Sequence, residues 1–420
     1  MKTAILSIGD ELLLGEVVDT NSARIAARLA DAGIATVRKL TVGDDEGAIA
    51  AALVELARGH DVVIATGGLG PTDDDVTARA AARATGRRLV LNEEAMGRLR
   101  DFFARLGREM HPANGRQCLL PAKAELVPNP VGTASGFHLL LDGCLLVFLP
   151  GVPAEMAVML EETVVPLVLA RRGEHPITRT MTLTVFGLSE AEIGARLADL
   201  DRSRPGLALA YCVEYPLVLV KLRAAGEDEE ALTALLEDGA ALVRERLGGH
   251  VVAGGGETID TAVARLFRET GRTLALAESC TGGLIAGRIT AVPGSSGYFL
   301  LGAVTYSNDA KVRLLGVSEE LLAEKGAVSA EVAKAMARGA RRLAGSDLAL
   351  AVTGIAGPDG GSPDKPVGTV FIALADRTGC SARGYHFSGD RDRIRTITAV
   401  TAMDWLRRRL LAEENHPGGK

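Results

Sequence analysis

Over the first 75 residues, strand-length apolar runs alternate with segments whose apolar residues recur at helical spacing. "TAILSIG" (3–9), "ATVRKLTVGDD" (35–45) and "DVVIATGGLGPT" (61–72) have strand length, and the third runs into glycines. Between them, "NSARIAARLADAGI" (21–34) and "EGAIAAALVELARG" (46–59) are amphipathic or apolar helices. Asn21 or Ser22 is positioned to cap the first helix and Gly33 to stop it. A βαβαβ order restricts the chain to a largely parallel sheet covered by helices. Such sheets bind ligands beyond the carboxyl ends of their strands. "LLVFLPGVPAEMAVMLEETVVPLVLARR" (145–172) closes the unit with a strand, a Pro/Gly turn and a helix.

The pattern breaks at "RRGEHPI" (171–177). Alternating strands and two helices then fill about 75 residues, which reads as a small α+β domain. "GGHVVAGGGE" (248–257) reads as the next linker, and a second α/β pattern starts at Glu257. "EENHPGGK" (413–420) reads as a disordered tail, and no internal repeat is found. Aromatics are only 4% of the 420 residues, so the cores rest on Ala, Leu and Val. A net charge of −6 gives no electrostatic reason for direct nucleic-acid or anionic-membrane binding. Five scattered cysteines without a C-x-x-C pair argue against a disulfide framework and a zinc site. No apolar stretch reaches the roughly 18–20 residues of a membrane span, and the N-terminus does not read as a signal peptide. A soluble, cytoplasmic protein is expected.

Four polar loops in the last third each follow an apolar strand: "AESCTGG" (277–283), "TYSNDAK" (305–311), "TGIAGPDGG" (353–361) and "FSGDRDRIR" (387–395). Together they supply Ser279, Cys280, Tyr306, Lys311, a glycine-rich anion loop and arginines. Serine needs a base, and no histidine lies in or beside the first three loops. A lysine serves once burial brings its pKa towards neutrality. The glycine loop, with Gly354 and Gly357, offers amides for a phosphate or oxyanion, and Arg391 or Arg393 can hold phosphate bidentately. On the residues alone, both Ser279 and Cys280 are open as nucleophile.

These loops, with "GAVSAEVAKAMARGA" (326–340) and the rest of residues 257–412, resemble the C-terminal domain of the CinA family. The resemblance implies a nicotinamide-nucleotide amidase, which converts nicotinamide mononucleotide to nicotinate mononucleotide and ammonia without a cofactor. It assigns Ser279 as nucleophile, Tyr306 and Lys311 as its activating partners, and Ser296, Thr353 and Arg391 to the nucleotide site. The oxyanion is expected to find donors at the helix start after Gly283. A chain beginning near Gly256 is expected to keep this activity.

The N-terminal segments "IGDELLLGEVVDTNSARIAARLADAGI", "VGDDEGAI", "ATGGLGPTDDDVT" and "LPGVPAEM" resemble the MoaB/MogA molybdopterin-binding fold and, more closely, the CinA N-terminal domain over residues 1–171. In full-length CinA proteins that domain is linked to a metal-dependent ADP-ribose pyrophosphatase. Gly67, Gly68, Gly70 and Thr72 form the expected anion seat. Asp44, Asp74 and Asp75 are the expected ligands of a divalent metal, Mg²⁺ or Co²⁺. Two departures from the family, "GDELLLGE" for "GTELLLGQ" and Asp73 for a frequent lysine, add acidity there. The alternatives are a non-catalytic pterin- or nucleotide-binding module, or a regulatory protein linked to competence. The middle segment, 172–250, resembles the family's KH-like spacer, without a GXXG loop. The expected fold class is therefore α/β: two α/β sandwich domains, 1–171 and 256–413, joined by a small α+β, KH-like domain. A homodimer is expected.

Overall fold

The computed structural model describes residues 1–172 and 177–414. The break at 173–176 and the tail from 415 lie outside the described residues. The chain divides into two compact units, Met1–Arg179 with Ala224–Thr233, and Thr180–Arg223 with Ala234 onward.

The first unit holds β1 (Thr3–Ile8), β2 (Thr36–Val42), β3 (Val62–Thr66), β4 (Leu89–Leu91), β5 (Leu119–Pro121), β6 (Glu125–Val127), β7 (Gly136–Leu141) and β8 (Cys144–Leu149). Six of them form a sheet in the order β2-β1-β3-β8-β7-β6, while β4 and β5 pair as a separate ribbon. The pairings from β2 to β8 are parallel, and β7 and β6 add an antiparallel edge. β1, β3 and β8 are buried along their whole length, which is why they read as unbroken apolar runs. Helices pack on both faces and leave two apolar clusters, one around Leu53, Phe137 and Phe148, the other around Ile25, Val147 and Met159.

The first long helix, Thr20–Asp31, differs from expectation at its start. Asp19 caps it by accepting from the Ser22 amide, while Asn21 and Ser22 are buried. Asn21 Nδ2 instead donates to Gly151 O (2.7 Å) and to Thr66 Oγ1 (3.2 Å), which ties the loops after β3 and β8 together. A capping aspartate two residues earlier frees the asparagine for this tertiary role. Gly33, with φ +72°, ends the helix as expected.

The second unit holds β9 (Ile177–Phe186, from Thr180), β10 (Leu207–Glu214), β11 (Leu217–Gly226, to Arg223) and β12 (Val251–Gly254) in one sheet, ordered β10-β11-β9-β12. It also holds β13 (Leu274–Glu278), β14 (Phe299–Val304), β15 (Leu348–Gly354), β16 (Thr369–Ala375) and β17 (Cys380–His386), ordered β14-β13-β15-β16-β17. β14, β13 and β15 are parallel, and β16 and β17 turn back antiparallel. Residues 248–257 are not a bare linker. Val251–Gly254 pairs antiparallel with β9, and Val252 enters the same apolar core as Ile259, Phe267 and Leu406. Two valines among glycines are too short a pattern to read as a strand; burial decides it.

Candidate active site

β13 ends at Glu278, and the chain turns at once into Ser279 and Cys280. The Ser279 amide donates to Val352 O of β15 (3.0 Å), so the turn is pinned above the sheet's carboxyl edge. Lys311 comes from the next loop, on the helix Asn308–Leu315, which Ser307 caps. Its Nζ lies 3.3 Å from Ser279 Oγ, 2.8 Å from Thr305 O and 3.4 Å from Tyr306 O. Lys311 is 1% exposed, and burial pulls its pKa below the ordinary lysine value. Among the described residues no carboxylate pairs with Nζ; its partners are two carbonyls and one hydroxyl. A buried amine without a counter-ion favours the neutral form that can accept the serine proton.

Cys280, one residue away, points to a different fate. Burial pushes its thiol up to about 12, so it stays protonated and packs in the core. The two residues left open as nucleophile by their chemistry are thus separated by environment: the hydroxyl meets an amine, the thiol does not ionise.

Glu278 takes the place expected for the oxyanion. It is 1% exposed, and its carboxylate accepts from the amides of Gly283 (3.0 Å), Ile285 (3.2 Å) and Ala286 (2.8 Å). The start of the Leu284–Thr290 helix is therefore already occupied by a negative group. The expectation that this helix start binds the oxyanion is corrected: its free amides are spent on Glu278.

The other expected residues divide. Tyr306 is 59% exposed, and its hydroxyl accepts from Arg391 Nη2 (2.9 Å), whose Nη1 donates to Gly357 O (2.7 Å). Tyr306, Arg391 and Gly357 therefore stand together, and no hydrogen bond joins the Tyr306 hydroxyl to Ser279 or Lys311. Thr353 is buried and donates to Ala327 O (2.8 Å). Gly354 has no room for a side chain, since a Cβ would stand 2.7 Å from Val370 Cγ2. Ser296 lies on the exposed turn Ser295–Gly297 before β14, without a hydrogen bond to the rest. Arg393 turns to Tyr215, with its guanidinium carbon 4.1 Å from the ring centre.

In the first unit, the loop after β1 and the loop after β2 clasp each other. The Asp10 amide donates to Asp44 Oδ2 (2.9 Å) and the Asp44 amide to Asp10 Oδ1 (3.1 Å). Burial, then the nearby charges of Asp10, Glu11 and Asp74, raises the Asp44 carboxyl above the usual range. Asp75 accepts from the amide (2.8 Å) and hydroxyl of Thr72, and Asp74 is exposed. Asp73 pairs with Arg116. The helix after this loop begins at Thr77. Gly67 is required by crowding: at φ +115° a Cβ would meet Ile8 O at 2.1 Å, and its amide is bonded to Leu149 O. At Gly68 a Cβ would meet the Thr77 hydroxyl, and at Gly70 the Asp75 carboxylate. Asp44, Asp74 and Asp75 do not form a ready set of ligands. Among the described residues, no group of three or more His, Cys, Asp and Glu side chains is disposed to hold a metal.

Comparison with known families and proteins fits this layout. Residues 4–170 match a probable molybdopterin binding domain, 180–253 the damage-inducible protein CinA KH domain, and 256–410 the CinA C-terminal domain. A CinA-like protein of Geobacter metallireducens is 88% identical over 98% of this chain and 100% of its own. The chain belongs to the CinA family. A CinA-like protein of Geobacter sulfurreducens is 74% identical over 98% of this chain and all of its own length. A solved competence/damage inducible protein from Agrobacterium tumefaciens is 44% identical over 36% of this chain and 94% of its own, with a TM-score of 0.35.

For this CinA-family chain, membership fits enzymes that act on small molecules, and no helix among the described residues is long and apolar enough to cross a membrane. Two residues of the site were not singled out as functional from sequence. Glu278 was visible as an acid between a strand and two glycines, a capping signal of ordinary kind. Arg395, whose Nη2 donates to Thr281 O (3.0 Å), gave no signal distinct from its neighbouring arginines.

Proposed function

We propose that the C-terminal domain hydrolyses the carboxamide of nicotinamide mononucleotide to nicotinate mononucleotide and ammonia. The observation that carries the reading is the buried Lys311 amine 3.3 Å from Ser279 Oγ. Ser279 Oγ attacks the amide carbon, and its proton passes to Lys311 Nζ. Collapse of the tetrahedral adduct breaks the C–N bond, and the same proton leaves with ammonia. Water then attacks the acyl-serine, Lys311 again taking and returning a proton. With the helix amides held by Glu278, the oxyanion falls to the amides of Cys280 and Thr281, which donate to no backbone carbonyl among the described residues. Arg391 and Tyr306 supply donors for the ribose phosphate beside the Gly357 loop. Ammonia release from nicotinamide mononucleotide tests the reading: a wild-type chain that releases none sinks it.

For the N-terminal domain we propose ADP-ribose as the ligand, with cleavage supported by Mg²⁺ or Co²⁺ as the finer form of the reading. A second reading, a non-catalytic nucleotide- or pterin-binding module, is favoured by one observation: Asp44 and Asp75 are already committed to their own loops. Phosphatase-coupled phosphate release from ADP-ribose, run with each metal, separates the two. A cytoplasmic homodimer belongs to the same proposal.

A further inference from the structure

A basic cavity of about 520 Å³ lies at the end of the C-terminal sheet opposite Ser279, between the last turns of the Ala330–Ala344 helix and the turn joining β16 to β17. Ser346, just before β15, lines it, whereas Ser279 is tied to the far end of β15 at Val352. Arg338, Arg341 and Arg342 line it from the helix and Arg377 from the turn. The three helical arginines stand at i, i+3 and i+4, so they share a face and repel one another. The helix carries one acid, Glu331, in its first turn. Arg341 Nε donates to Asp347 O (3.1 Å) and Arg342 Nη2 to Leu315 O (3.1 Å), which are carbonyls without net charge. Among the described residues no carboxylate pairs with Arg338, and Asp376 is the one acid that lines the cavity. Its carboxylate is already taken: Oδ2 accepts from Arg409 (2.8 Å), and Oδ1 from the amides of Thr378 (2.7 Å) and Gly379 (2.9 Å). Arginines in a last turn complement the helix dipole, which accounts for Arg341 and Arg342. It does not account for Arg338, a turn earlier, or for Arg377 on the facing hairpin. In a chain of net charge −6, cations gathered at one cavity mark a place for an anion.

We propose that this cavity binds a chain of linked phosphates, free or as the tail of a nucleoside triphosphate. A guanidinium holds phosphate oxygens in pairs through its fork of N–H donors. Arginines spread over one helical turn and a facing hairpin match several linked phosphates better than one. The site stands apart from Ser279 and Lys311 and depends on neither proposed reaction. Occupancy offsets the repulsion along the helix, so the ligand stabilises the folded chain.

Calorimetric titration and thermal melts of the full-length protein test this with inorganic triphosphate and ATP at equal ionic strength. Wild type should bind triphosphate and melt several degrees higher with it. Arg338→Ala combined with Arg377→Ala should weaken triphosphate at least about tenfold. Arg338→Lys keeps the charge and should retain part of the binding. Arg58→Ala, which removes an exposed arginine of the first unit, should leave it unchanged. Without ligand, Arg338→Ala should melt no lower than wild type, because it relieves repulsion and places a better helix former on an exposed position. ATP bound with the same dependence on Arg338 makes the ligand a nucleotide; triphosphate bound alone makes it a free phosphate chain. A wild type that binds no triphosphate overturns the site. So does undiminished binding by the folded double variant, or equal weakening by Arg58→Ala. A ligand-free Arg338→Ala that melts several degrees lower also overturns it, since the arginine then serves the fold. If the double variant does not fold, Arg338→Ala alone decides: a several-fold loss is expected, and undiminished binding overturns the site.

Discussion

The Ser279 site and the aspartate cluster of the first unit both sit on loops at the carboxyl ends of parallel strands, and they differ in what their polar groups are free to do. Ser279 and Lys311 come from loops 32 residues apart and are buried against each other, with an amine that has no counter-ion. Asp44 and Asp75 are also hydrogen-bonded, but to amides of their own or neighbouring loops, and Asp74 is exposed. A buried group with one reactive neighbour has a shifted pKa and a defined partner. A carboxylate that closes a turn does structural work already. Similar positions on similar sheets therefore do not imply similar readiness for chemistry.

The sharpest way to break this contrast is at the nucleophile. Ser279→Ala should lower ammonia release from nicotinamide mononucleotide by about 10³-fold or more, while Cys280→Ala stays within a few-fold of wild type. The reverse ranking, read in a coupled ammonia assay, would put the thiol in the serine's place.

Lys311 comes next. Lys311→Arg should cost about 10²–10⁴-fold, because a guanidinium cannot take the serine proton. The wild-type rate should fall as pH drops through the depressed Lys311 pKa, since protonation removes the base. The sign for stability is the same. Between the folded value and the unfolded 10.5, the unfolded chain binds the extra proton, so stability rises with pH across that window. A pH–rate profile and melting curves from pH 7 to 10 check both.

Glu278→Ala would leave three amides of a partly buried helix start without their acceptor. About 2–4 kcal/mol of stability should be lost, with activity falling as the Ser279 turn loosens. Glu278→Gln should recover part of both, which a thermal melt beside the amidase assay would show.

Smaller effects are expected at the boundary. A chain beginning near Gly256 loses Val252 from the core, Phe186 and Leu217 packed against it, Tyr215 beside Arg393, and the Arg407 bond to Gly249 O (2.7 Å). The buried valine alone is worth about 1.5–3 kcal/mol and the other lost contacts add to it, so the melting temperature should drop by at least several degrees. Ser279, Lys311 and Glu278 all lie beyond the cut, and amidase at 25 °C should persist. An aggregated or inactive fragment would show that the site depends on the preceding sheet.

The smallest effect tests the aspartate side. The Asp44 carboxyl is raised, so its ionisation costs stability above its folded pKa, and that cost vanishes as pH falls below the unfolded 3.8. Asp44→Asn keeps an oxygen for the Asp10 amide and should raise the melting temperature at pH 7 by about 1–2 °C, with no gain near pH 3. A drop at pH 7 would mean that the charge itself is needed.

Much of this was legible in the residues. Apolar period, glycine stops and strand-length runs are local signals, and they identified β1, β3, β13 and β15, Gly33 as a helix end, and the loop that carries Ser279. What was missed has a common cause. β12 is four residues long and became a strand through pairing with β9 and burial of Val252. Asn21 was read as a cap, yet Asp19 caps and Asn21 bridges to Gly151, 130 residues away. The glycines at 67, 68 and 70 were read as an anion seat; a Cβ at these positions would meet Ile8, Thr77 and Asp75, so local packing by itself calls for glycine there.

The order of the domains, the parallel sheets, the family and the presence of a serine, a lysine and a tyrosine on neighbouring loops could all be read from the residues. Those follow from short-range periodicity and from motifs a few residues long. Which groups meet, and in what state, came from folding: Lys311 against Ser279, Tyr306 with Arg391, Glu278 across the helix amides, Cys280 sealed in the core. Hydrogen bonding and desolvation depend on atoms brought together from distant parts of the chain, and it is desolvation that makes one buried side chain a base and another an inert thiol.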